Sequence, residues 1–490
     1  MITVAPTEVR RATIVTEQPA TAAQKSGDPD ETGASATPDP ADPTPPKPRR
    51  DKHLYQIDLV RLVTFAGVIL DHVILGIATQ VNVAAGGVGL LLRYTRYSFF
   101  ALTGFVLTYQ YRHRDLRART FWRRRYKLIG LPFLVWSLFY WVYGRYETGG
   151  VDALQGIFAT TGDMTLALKS IAYDLITGNA WYHLYFLSVS MQIYAVFPGV
   201  LWLLKRTWGR HRYLLAVSGA FQALMMYLMV RPPLPFFRHG LQGEVWSHLV
   251  VTIIPYQFFV LAGCVAAMHY EAFQGFMVRW RWAILAAGAV TITATLVYYT
   301  HDVESGESIF RATNVFMLHN SFAYIAIILI LYVLGTMWQD RRRAGSVTDT
   351  VMRTAADRSF GIYLAHALAL AALEPTIHKY IDLPPGLLIT VSFIATVALT
   401  VFIVEVLRRS PISLITTGRN RIDWRSQNPV RSAVVGVAAV LLGLVLRGVF
   451  TMQAGTLVAA TGALLIVSAA VVFRHQWANR GHNLYTEIPV

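Results

Sequence analysis

Two side chains in one apolar stretch have the chemistry to move a proton and to hold an anion. The stretch is IDLVRLVTFAGVILDHVILGIA, Ile57 to Ala78, and it carries Asp58, Arg61, Asp71 and His72 in a run long enough to cross a bilayer. Imidazole titrates near neutral pH, so His72 can take up and release a proton. A guanidinium such as Arg61 pairs well with phosphate. On a helix, the step from Arg61 to His72 is a rotation of roughly 1100°, about 20° beyond three turns, with a rise of about 16 Å. The two share a face, with Arg61 near the cytoplasmic mouth and His72 beyond the midplane. Asp58 lies on or near the same stripe, whereas Asp71 points about 100° away from His72. Ionisable groups at the centre of a spanning helix cost roughly 2.5–3.5 kcal/mol each and usually face a cavity or a partner. The stripe reads as the wall of a channel reaching inward from the cytoplasm. The plainer alternative is that His72 hydrogen-bonds to a neighbouring helix and that Asp58 and Arg61 form an interfacial ion pair. Periodicity alone names no reaction.

The elements that must position these groups follow from composition. The chain of 490 residues is 54% hydrophobic and 15% charged, with a mean hydropathy of +0.41. That is too little polar surface for a soluble fold of this size, and the expectation is an all-α polytopic membrane protein. The formal charge of +16 comes from Lys and Arg gathered in short loops, which is the positive-inside pattern and not a nucleic-acid face. The one cysteine, Cys264, excludes an intramolecular disulfide and a Cys-based metal cluster and reads as a packing residue. No HExxH pair or other metal set is present, so no metal is expected.

Residues 1–52, rich in Pro, Asp, Thr and Ala, read as a disordered cytoplasmic tail with no apolar core of a secretory signal. Twelve apolar spans come after it, at about 56–78, 87–111, 126–144, 182–204, 212–230, 249–269, 281–300, 318–338, 359–374, 386–408, 431–450 and 455–473. Basic loops such as YRHRDLRARTFWRRRYK, KRTWGRHR and DRRR alternate with neutral or acidic ones at 145–181 and 300–317. This predicts both termini in the cytoplasm of a multi-pass cell-membrane protein. WSLFYWVY at 136–143 reads as an interfacial aromatic belt.

Five strings in order over about residues 53–408 resemble the membrane acyltransferase 3 family, which includes bacterial polysaccharide O-acetylases and macrolide acyltransferases. IDLVR with Arg61-x10-His72 is similar to the family's opening helix. FFALTGF, Phe99 to Phe105, resembles its FFxLSGF element with Thr103 in place of Ser. FWRRRYKLIGLP resembles its basic cluster, although Lys127 stands where an Arg is expected. YHLYFLSVSMQIYAVFP resembles its HLWFL element with Tyr185 for Trp, and SFGIYLAH, ending at His366, resembles its SYGIYLIH element. The resemblance implies a ten-helix core at 53–410, followed here by a basic cytoplasmic loop at 411–430, two extra helices in 431–475 and a tail at 476–490.

It also implies transfer of an acyl group, acetyl above all, from cytoplasmic acyl-CoA to a hydroxyl of a glycan, glycolipid or metabolite. His72 and Arg61 are the catalytic candidates. Arg61, Arg123, Arg124, Arg125 and Lys127 are candidates for the CoA phosphates, and Asp58, Phe99, Phe100, Thr103, His183 and His366 for the substrate. His183 also reads as an anchor near a helix end, His366 as a pin for the ninth span, and His319, beside Asn320, as packing or as a site group. The competing class is a transporter or flippase whose proton or substrate pathway is the Asp58, Arg61 and His72 face, although the second half does not repeat the first-half motifs.

Overall fold

Long apolar runs without β-rich alternation fold as helices, and the computed structural model, which describes residues 53–78 and 82–479, contains no strand among them. The expected N-terminal tail and residues 480–490 of the expected C-terminal tail lie outside the described residues. The helical body begins at Tyr55.

The first half of the chain contains α1 (Tyr55–Ile77), α2 (Val83–Leu92), α3 (Tyr94–Tyr111), α4 (Ala118–Gly156), α5 (Thr161–Thr177), α6 (Tyr185–Arg206) and α7 (His211–Met229). It continues through α8 (Gly240–Ser247), α9 (Gln257–Met268), α10 (Tyr270–Arg279) and α11 (Arg281–Glu304). The remainder holds α12 (Ile309–Ala312), α13 (Leu318–Arg341), α14 (Val347–Tyr380), α15 (Pro385–Arg409), α16 (Ser413–Thr417), α17 (Pro429–Gly448) and α18 (Gln453–Asn479). Helix starts are chemically marked. The Asn82 side chain accepts from the Ala85 amide, Thr160 from Asp163 and Ser346 from Asp349, while prolines open α15 and α17. Gly178 ends α5 at φ 78°, a left-handed conformation that glycine adopts without penalty. Where α3 ends, Arg112 bonds both carboxylate oxygens of Glu271 at 2.6 and 2.9 Å and holds that carboxyl below its usual range.

Nine helices among the described residues are long and apolar enough to cross a membrane, α1, α4, α6, α11, α13, α14, α15, α17 and α18. The other three expected spans are built differently. The run at 87–111 divides at Arg93 into α2 and α3. The run at 212–230 is α7, which carries His211, Arg212 and Gln222. The run at 249–269 begins as short 3-10 turns, with Pro255 in the second, and becomes helical only at α9. The expected loop 145–181 is itself mostly helical. α4 extends into it, interrupted at Gly149 and Gly150, and α5 comes next.

The aromatic run at 136–143 is divided, with Trp136, Tyr140 and Trp141 packed inside and Phe139 exposed. Trp136 and Tyr140 are 5% and 0% exposed. The Trp136 indole N–H donates to the Thr416 carbonyl at 2.8 Å, and the Tyr140 hydroxyl donates to Leu364 at 2.9 Å and accepts from the Leu368 amide. These bonds pin α4 to α16 and α14, because a buried polar handle must find a partner. Helices α17 and α18 pack on each other along reciprocal glycines, Gly436 with Gly462 and Gly443 with Gly455. A Cβ on Gly436 would lie 2.9 Å from the Gly462 carbonyl oxygen. Backbone approach through small residues is how helices associate where lipid removes the hydrophobic drive. The hairpin rests against α14 and α15.

Candidate active site

α1 and α14 meet through Ile69, Val73 and Ile77 on one side and Leu370 and Ile377 on the other. Side chains three and four apart share a helical face, so this register brings His72 beside His366. Their rings are nearly coplanar, 6° apart with centroids at 5.2 Å, and His72 Nδ1 lies 2.9 Å from His366 Nε2. His366 Nδ1 is 2.6 Å from the Tyr363 carbonyl oxygen. A carbonyl only accepts, so Nδ1 of His366 carries a proton. With His366 neutral, its Nε2 accepts from a protonated Nδ1 of His72, and the lone pair of His72 resides on Nε2. One backbone carbonyl thus fixes both tautomers.

His72 lines a cavity of about 430 Å³. Its walls include Asp71, Arg93, Arg96, His183, Tyr182, Tyr185, Tyr363 and Glu374. The Arg93 guanidinium donates to the Thr313 carbonyl, and that of Arg96 lies 5.2 Å from the Tyr185 ring centroid, a cation–π placement. One carboxylate oxygen of Asp71 is buried with no hydrogen-bond partner. His183 is 2% exposed, and among the described residues neither ring nitrogen has a partner at hydrogen-bond geometry. Its ring stands edge-on to His366 and Tyr363, at 5.1 and 5.5 Å, and its carbonyl accepts from the Tyr363 hydroxyl. His183 stands near a helix end, as expected, two residues before α6 begins, and is buried there.

Of the residues expected from sequence, His72 and His183 line one cavity, and His366 stands behind His72, bonded to it. Arg61 is not among the residues lining it. One Arg61 Nη donates to Asp58 at 2.9 Å and to the Ala356 carbonyl at 3.1 Å, and its Nε is buried without a partner. Sharing a face of α1 does not make one continuous wall, because α14 packs over the stripe between them. Arg123, Arg124 and Lys127 are exposed, whereas Arg125 turns inward and donates to Gln110 at 2.6 Å. Phe99 and Phe100 back the cavity and do not line it, packing on its Phe186 at ring distances of 5.0 and 4.6 Å. The Thr103 hydroxyl is used within α3, donating to the Phe99 carbonyl at 2.9 Å. The Gly104 that comes next lets α3 touch the α9 backbone, since a Cβ there would overlap the Val260 carbonyl. His319 packs on Tyr298 at 4.6 Å, away from the cavity.

Several residues of the cavity carry no expectation from sequence. Asp71 lines it beside His72 despite its angular offset, because a cavity spans more of a helix than one stripe. Arg93 and Arg96 fall inside an expected apolar span, and the rule that singles out intramembrane charge applies to them as it does to His72. Tyr182, Tyr363 and Glu374 give no such signal.

Residues 54–405 match the model of a family described as an acyltransferase domain. No curated protein and no solved structure matches the chain.

Proposed function

Because the chain belongs to the membrane acyltransferase 3 family and is a membrane acyltransferase, we propose that it moves an acyl group, acetyl in the first instance, from acyl-CoA to a hydroxyl of a glycan, glycolipid or metabolite. The observation that carries this reading is the chain from the Tyr363 carbonyl through His366 to His72, which leaves an imidazole lone pair on a cavity wall. In the proposed reaction His72 Nε2 takes the acceptor hydroxyl proton as the oxygen bonds to the thioester carbon. The carbonyl electron pair moves onto its oxygen and is met by the Arg96 guanidinium, which lines the same cavity. Collapse of this intermediate breaks the C–S bond, and the departing CoA sulfur takes the proton from His72. The His72 imidazolium keeps its Nδ1–H bond to His366 throughout. Donor phosphates are assigned to Arg61 and the basic face of Arg123, Arg124 and Lys127, with Arg125 holding the start of α4 to α3.

The test is transfer from labelled acetyl-CoA in membranes containing the full-length protein. His72→Ala should abolish transfer while the protein accumulates and still binds acyl-CoA. Arg61→Ala should chiefly raise the donor KM, since a phosphate contact made throughout the reaction is uniform binding. Retention of transfer by purified His72→Ala protein would refute the assignment.

A further inference from the structure

Next to the cavity at His72 is a second one of about 360 Å³, where α4, α14 and the segment after α5 meet. Tyr182, Leu370 and Glu374 line both. The shared Tyr182 ring stands edge-on 4.7 Å from His72. Gly76, one turn beyond His72, also lines the deep cavity. A Cβ there would lie 3.5 Å from the Glu374 carboxyl carbon.

The two cavities differ in charge. The outer one has Glu147 and Glu374 in its wall and neither Arg nor Lys among the described residues. Glu147 accepts from the Tyr143 hydroxyl at 2.6 Å, and no ion pair engages Glu374 among the described residues. The nearby Arg145 lies over the Trp141 ring, 4.8 Å from its centroid, and Arg93 and Arg96 line only the deep cavity. His378, also in the outer wall, donates from Nδ1 to the Glu374 backbone carbonyl at 3.0 Å, so its Nε2 accepts when neutral. The remaining walls include the Trp181 indole and the Tyr182 ring. Acceptors of hydrogen bonds, negative charge and aromatic faces are thus concentrated at one end, and a cation with a hydroxylated ring is their complement.

We propose that the outer cavity is the acceptor's recognition site and takes a hydroxylated ring bearing a protonated amine. The ammonium lies against Glu147 and Glu374 while a hydroxyl of the same ring reaches His72. Being protonated, the amine has no lone pair with which to compete for the acyl carbon, so transfer stays on oxygen. The inference rests on the acyl-transfer reading and names its acceptor class.

Three methyl glycosides on related hexose rings separate the possibilities, those of glucose, glucosamine and glucuronic acid. Equilibrium binding to the full-length protein, without donor, should rank the amine-bearing probe about tenfold ahead of the neutral one, with the acid weakest, as expected for one added charge contact. Glu374→Gln and Glu147→Gln keep side-chain shape and should erase that preference, weakening the amine-bearing probe about tenfold and the neutral one little. Transfer from acetyl-CoA should follow the same ranking in kcat/KM. Equal binding of the three, binding of none, or an unchanged ranking in both Gln variants overturns the inference. Selective binding of the amine-bearing probe with transfer to none counts against the acyl-transfer reading and supports the acceptor site. Transfer without charge preference does the reverse.

Discussion

His366 occupies the place that a carboxylate fills in many hydrolytic triads, behind the proposed proton acceptor, but as a ring held by a backbone carbonyl. Removing an orienting partner of a functional histidine typically costs about 10–100-fold. His366→Ala should therefore lower kcat by that order with the donor KM unchanged, and His366→Gln, whose amide oxygen accepts from His72 Nδ1, should recover part of the loss. Steady-state transfer assays on both variants decide it, and an unchanged kcat in the alanine variant would remove the orienting role. Much of this centre is legible without the fold. His72 stands out by its depth in an apolar run, and His183 and His366 by the strings they sit in. Arg93, Arg96 and Asp71 are as visible, but a helical wheel assigns each residue one direction and a cavity takes in several. Glu374 and Tyr182 have no local signal, since their meaning comes from two helix ends that only the tertiary fold brings together.

Elements are legible where apolar length decides them and less so where polar groups redirect the chain. The second expected span is cut at Arg93, whose guanidinium reaches the Thr313 carbonyl. WSLFYWVY reads as a lipid-interface belt, because composition cannot tell an indole N–H facing headgroups from one bonded to Thr416. The last two helices show no site residues, and their pairing lies in glycines seven apart on α17 and again on α18. Gly443 is the sharpest test of that pairing. A Cβ there would meet the Ala459 amide nitrogen and the Gly455 carbonyl oxygen at 2.5 Å each. Gly443→Leu should overpack the hairpin at a cost of about 1–3 kcal/mol. A lowered apparent Tm of the detergent-solubilised protein would register it, whereas an unchanged Tm would mean that the hairpin separates without consequence to α14 and α15.

For the molecule as a whole, we propose twelve crossings with both ends in the cytoplasm, on the alternation of basic and acidic loops. Reporter fusions after Gly149 and Glu304 should report outside, and those after Arg343 and Arg425 inside. A fusion at Arg425 reporting outside would remove this arrangement for the last two helices. The loop charges are fully legible in sequence because they are a matter of local composition, whereas the meeting of distant helices is not.

The bond between His72 and His366 joins residues 294 positions apart. At synthesis rates of about 5–20 residues per second, α1 waits roughly 15–60 s in the nascent membrane protein before its partner exists. A lone histidine and carboxylate facing lipid for that interval would favour slipping of α1 out of the bilayer. Arg93 and Arg96 arrive within a few seconds and line the same cavity as Asp71, which makes them the first cations available to the first helix. Substitution of Arg93 or Arg96 is therefore expected to lower the amount of membrane-integrated protein, and quantifying the inserted chain beside its activity separates that loss from one of chemistry.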